Sequence, residues 1–110
     1  DVEEIGCDML SATSRKYLRG PRGVGFLYVK KSVIKELHPP IVDLHSAAWK
    51  SASEYVLAPD AKRFENWENN YAAKIGFGAA VDYALDIGIN NIKQRIDELA
   101  NYLRKKLSKI

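Results

Sequence analysis

The sequence holds one cysteine, Cys7, so no disulfide can close within the chain, and a reducing, cytoplasmic setting is expected. No apolar run approaches the ~20 residues that a helix needs to cross a bilayer, and no signal-peptide pattern is present. A membrane partner is therefore not expected. A strong charge bias is missing too: the net charge is +3, with acids and bases interleaved. That is too weak to argue for nucleic acid. His38 and His45 have no partner at metal-ligand spacing and read as surface or loop residues, so no metal site is expected. Internal repeats and low-complexity tracts are absent.

What is there is an ordinary globular composition. A chain of 110 residues, 46% hydrophobic and 28% charged, suits one small domain with a modest core. Both ends look cut. The chain opens at Asp1 without an initiator methionine, and it closes at Ile110 inside a helical pattern that carries no C-cap signal. A piece of a longer protein is expected.

After a short acidic lead-in, Cys7 to Leu10 reads as a buried strand, and Gly25 to Val29, aromatic and β-branched, as the next one. Between them runs Ser11 to Val24, punctuated by Gly20-Pro21 and Gly23. Ser32 is placed to cap a short helix, Val33 to Leu37, which ends before Pro39-Pro40. Residues 41–62 mix Ser, Ala, Asp and Pro without a clear period and read as a long functional or partner-facing loop. Arg63-Phe64-Glu65 suits a brief strand. From about Asn69 the spacing turns helical, with Ala72, Ile75, Ala79, Ala80, Tyr83, Ala84 and Ile87 on one stripe. Gly76 and Gly78 within it point to another backbone packed close by. Gly88 stops that helix, and Asn90 is placed to cap a last one. Ile92, Ile96, Leu99, Leu103, Leu107 and Ile110 line one face of this last helix, and the other face is basic. The class is α/β.

The chemistry is concentrated in the turn. Arg15, Lys16, Arg19 and Arg22 crowd a glycine-rich loop, an arrangement suited to an anion. Like charges around a lysine disfavour its protonated form, and a neutral amine is what Schiff-base chemistry with a carbonyl compound needs. A non-catalytic module that grips phosphate groups of a nucleotide or nucleic acid through the Arg15–Arg22 loop is the alternative. Its binding would fall steeply with salt. Against it, Tyr17 alone is no base-stacking platform.

The run from Asp8 to Val29, with Ser11-Ala-Thr-Ser-Arg-Lys16 followed by Gly20-Pro-Arg-Gly23, resembles the cofactor-lysine segment of class V aminotransferases. That group contains cysteine desulfurases, isopenicillin-N epimerase and hercynylcysteine sulfoxide lyases. Arg63-Phe-Glu-Asn-Trp-Glu-Asn-Asn70 and Gly76-Phe-Gly-Ala-Ala resemble its next landmark, in the right order. The likeness covers nearly the whole chain and is weak over residues 41–62.

The resemblance implies the later part of the large domain of a fold-type I pyridoxal 5'-phosphate enzyme, with strands around the lysine loop followed by two long helices. It implies that Lys16 forms the Schiff base and shuttles protons, and that Thr13 and Arg15 contact the cofactor phosphate. Asn70 would make a polar contact across a homodimer. The substrate would be a small amino acid or amine, and transamination, carbon–sulfur cleavage and epimerisation share these steps. Glu68 stands where many relatives carry a phosphate-binding threonine. Cys7, in the strand before the lysine, does not match the catalytic cysteine of the desulfurases. Trp49 and Trp67 suit packing or an interface. Residues 1–110 alone are expected to be inactive, since the remaining walls of the site would lie outside them.

Overall fold

Backbone pairing extends the first strand into the basic turn. In the computed structural model, which describes residues 1–110, β1 spans Met9–Thr13 and pairs antiparallel with β2, Gly25–Val29. Met9 faces Val29, and Thr13 faces Gly25. The expected strand Cys7–Leu10 is thus shifted toward the C terminus. Ser11, Ala12 and Thr13 each find a partner residue on β2, and that ladder outweighs the weak strand preference of Ser and Ala. Gly25 allows the closest approach, because a Cβ there would lie 2.1 Å from the Ala12 carbonyl oxygen. Before β1, the acidic lead-in forms one helical turn, α1 (Val2–Ile5), with the Asp1 carboxylate accepting from the Glu3 N–H at 3.0 Å.

Other expectations change as well. The helix expected over Val33–Leu37 is a 3₁₀ turn, Ile34–Glu36, and no Ser32 side chain caps it. Residues 41–62 are not a structureless loop. They contain an antiparallel hairpin, β3 (Ala47–Ser51) and β4 (Glu54–Leu57), in which Trp49 lies opposite Tyr55. An aromatic cross-strand pair of this kind contributes roughly 0.2–1 kcal/mol, and an irregularity between Trp49 and Ser51 breaks the simple alternation by which a strand is recognised. The strand expected at Arg63–Glu65 is a second 3₁₀ turn, Ala61–Phe64, capped by the Asp60 carboxylate on the Lys62 N–H at 3.0 Å.

Two helices follow, α2 (Tyr71–Ile87) and α3 (Ile89–Leu107). Asn70 caps α2 by accepting from the Ala73 N–H at 3.0 Å. Gly88, with φ 89°, ends α2 and begins α3, so Asn90 does not have the capping role expected of it. A Cβ on Gly76 would meet the Pro21 ring at 2.8 Å, so what packs close there is a side chain and not the backbone expected. At Gly78 nothing lies within 4 Å, and there the expectation fails.

The buried interior is thin: 9 of 110 residues, with Val29, Ile34, Ala47, Ala73 and Ala84 as its apolar members. The α3 stripe stays open, Leu103 and Leu107 being 57% and 58% exposed. No helix is long and apolar enough to cross a membrane.

Candidate functional site

The lysine loop leaves β1 at Ser14 and rejoins β2 at Gly25. Ser14 is fully buried, its hydroxyl donates to the Pro21 carbonyl, and its own carbonyl accepts from the Gly20 N–H at 3.0 Å. Its N–H donates to the Val24 carbonyl at 3.0 Å. These bonds staple the two ends of the loop together. Inside them, the Arg19 N–H donates to the Lys16 carbonyl at 3.1 Å and closes a tight turn around the lysine. Gly20 lies against α2, where an added Cβ would meet Ser14 Cβ at 3.1 Å and Ala80 Cβ at 3.3 Å.

The backbone of the loop is therefore fixed, and its charges have no carboxylate partner. Arg15, Lys16, Arg19 and Arg22 are all exposed, and none has a carboxylate partner within salt-bridge distance. Lys16 and Arg19 line a cavity of about 480 Å³, with Tyr17, Tyr83 of α2, and Arg95 and Ile96 of α3. No acidic residue lines it, and Arg95 alone has an ion-pair partner, Glu98 at 3.3 Å. Apolar walls and uncompensated cations suit a partly apolar anion.

The sequence-derived site residues do not all converge there. Thr13 ends β1, its hydroxyl donating to the Val24 carbonyl over a long 3.4 Å. Arg15 is exposed beside the turn. Asn70 is engaged in capping α2. A larger cavity of about 560 Å³ lies against β2, lined by Phe26, Phe64, Glu65, Glu68, Asn69 and Lys74 among others. Neither cavity takes in Thr13, Arg15 or Asn70.

A second polar cluster went unrecognised in the sequence. Asp43 accepts from the backbone N–H groups of Trp67 (2.6 Å), His45 (2.8 Å) and Ser46 (3.2 Å). The Trp67 bond, opposed by partial desolvation and helped by the other two, lowers its carboxyl from 3.8 to about 2. His45 Nε2 meets Glu65 Oε2 at 2.9 Å, and its ring stands edge-on to Trp67. Buried Arg63 donates to the carbonyls of Ala58 (2.8 Å), Ile34 (2.7 Å) and Leu37 (3.2 Å). The Asp43-x-x-Ser46 spacing is the one local signal, since an aspartate followed by free N–H groups favours such a turn. Arg63 gives no local signal, because two of its partners lie 29 and 26 residues away.

Comparison with known proteins gives the family of the chain. The family model for aminotransferase class-V matches residues 1–110. A probable cysteine desulfurase of Halalkalibacterium halodurans is 33% identical over 118 residues, covering all of this chain and 27% of the relative. Cysteine desulfurases of Escherichia coli K12 and Yersinia pseudotuberculosis are 34% and 33% identical over 111 residues, again covering the whole chain and 27% of each relative. Among solved structures, that of the cysteine desulfurase CsdA (S-sulfonic acid) from Escherichia coli superposes with a TM-score of 0.82. It is 25% identical and covers all of this chain and 27% of that one. The chain thus spans about a quarter of the length of the relatives it matches.

Proposed function

The chain belongs to the class-V aminotransferase family, and we propose that it forms part of the large, cofactor-binding domain of a fold-type I pyridoxal 5'-phosphate enzyme. The enzyme acts on a small amino acid or amine, by amino transfer or by carbon–sulfur cleavage. The names of the relatives put carbon–sulfur cleavage first. Glu68, where the threonine of many members would stand, departs from the desulfurase pattern.

One observation carries this reading: four cations sit on a rigid turn with no carboxylate to neutralise them, and Lys16 is among them. The residues present fit the cofactor. Its phosphate needs positive charge and donors, which Arg15, beside the turn, and Thr13, at the end of β1, supply. The Thr13 hydroxyl leaves only a long bond to reach a phosphate oxygen. Lys16 supplies the amine for covalent attachment. With the cofactor bound, Lys16 would also be the group that holds and moves the proton at the substrate α-carbon. When bound, the cofactor contributes the electron sink. Asn70, at the head of α2, contributes a polar contact across a homodimer, and the exposed Trp49 and Tyr55 of the hairpin suit that interface. A single cysteine and no disulfide fit a cytoplasmic enzyme. Residues 1–110 alone supply one wall of the site and turn nothing over.

The test is chemical. Full-length protein incubated with pyridoxal 5'-phosphate and reduced with borohydride should carry the adduct on the Lys16 peptide. Absence of the adduct, or equal labelling after Lys16→Ala, sinks the reading.

A further inference from the structure

Arg19 is the one residue other than glycine with a positive φ, 55°. That backbone state is strained for any side chain bearing a Cβ and comfortable for glycine. The strain accompanies a contact. The Arg19 guanidinium carbon stands 5.7 Å from the centroid of the Tyr83 ring on α2, within cation–π range. Arg19 also closes the turn through its N–H to the Lys16 carbonyl at 3.1 Å. Ser14 and Gly20 fix the ends of the segment, and Pro21 rests on α2 at Gly76. Between those points, the Arg19–Tyr83 contact ties the turn to α2 through a side chain. It stands at the wall of the cavity that Lys16 lines.

We infer that Arg19 is a positioning residue for Lys16. Seated on Tyr83, its guanidinium holds the Lys16–Arg19 turn down on α2 and keeps the amine at the cavity mouth. Tyr83 is the other half of the device. This rests on the reading of Lys16 as the reactive amine, but the device itself is a property of the protein without cofactor.

The test uses cofactor-free full-length protein and reads the rate at which formaldehyde and cyanoborohydride methylate each lysine, by peptide mass spectrometry. Lys30, Lys50 and Lys74 serve as internal references. Arg19→Ala and Tyr83→Leu should each change the Lys16 rate at least threefold and leave the reference rates alone. The double variant should show no more change than either single one, because both remove the same contact. Arg19→Lys, which keeps a cation over the ring, and Tyr83→Phe, which keeps the ring, should stay near wild type. An unchanged Lys16 rate in Tyr83→Leu, additive single effects, or a Tyr83→Phe as disturbed as Tyr83→Leu overturns the inference. Should Arg19→Ala fail to fold, the two Tyr83 variants decide it. Borohydride trapping on wild-type protein separates the two claims: a missing Lys16 adduct sinks the cofactor reading, while the methylation ratios still judge Arg19.

Discussion

Two polar regions of this chain treat their charges in opposite ways. In the Ser14–Val24 loop the backbone is held by its own groups, by a buried serine hydroxyl and by close packing at Gly20 and Pro21. Its four cations carry no ion pair. Around the hairpin the charges are the fasteners. Arg63 answers three carbonyls, Asp43 answers three N–H groups, and His45 meets Glu65. A charge committed to the backbone is scaffold. A charge left free on a rigid backbone is available for a ligand, which is why Lys16 and Arg15 carry the functional proposal and Arg63 does not.

The sharpest way to break that contrast is to remove Arg63. Arg63→Ala leaves the Ile34, Leu37 and Ala58 carbonyls without their donor, and hydrogen bonds to charged groups contribute roughly 1.5–3 kcal/mol each. A loss of about 3 kcal/mol or more is expected in urea unfolding of the full-length protein. A change under about 1 kcal/mol, within the range of ordinary single bonds, would count against the scaffold assignment.

Asp43 sharpens the contrast through pH. Its folded carboxyl lies at about 2 against an ordinary 3.8. With the folded value depressed, the unfolded chain binds more protons in between, so the contribution is complete above the unfolded value and fades as pH falls through the folded one. The unfolding midpoint of wild type should therefore approach that of Asp43→Asn as acid is added across that window. Parallel curves for the two would remove Asp43 from the scaffold.

Arg15 should give the smallest change in stability. Arg15→Ala is expected to shift unfolding by less than about 0.5 kcal/mol, as exposed substitutions do. Pyridoxal 5'-phosphate affinity, titrated by absorbance, should weaken by about tenfold, or about 1.4 kcal/mol for one lost charge-assisted contact. A stability loss as large as that of Arg63→Ala would erase the distinction between the two regions.

Much of this was legible in the chain. The strand–loop–strand unit, the crowded cations, the two helices and the break at Gly88 all rest on local signals: apolar period, turn residues and a missing Cβ. The hairpin was not legible, because Ala, Ser and Lys dominate β3 and an irregularity interrupts its alternation. The strand expected at Arg63–Glu65 gives way to the 3₁₀ turn Ala61–Phe64 for a related reason: the three residues of that expected strand are too few to show a period.

By itself the sequence determined the two C-terminal helices, the strand-flanked loop that bears Lys16 and the resemblance that names a cofactor. All three depend on residues near one another along the chain. Tertiary structure alone decided which charges are free. Whether Arg63 finds the carbonyls of Ile34 and Leu37, Asp43 the N–H of Trp67, or Arg19 the ring of Tyr83 depends on residues brought together from 24 to 64 positions away. A side chain's electrostatic partner is fixed by the folded path of the backbone, not by its neighbours in sequence.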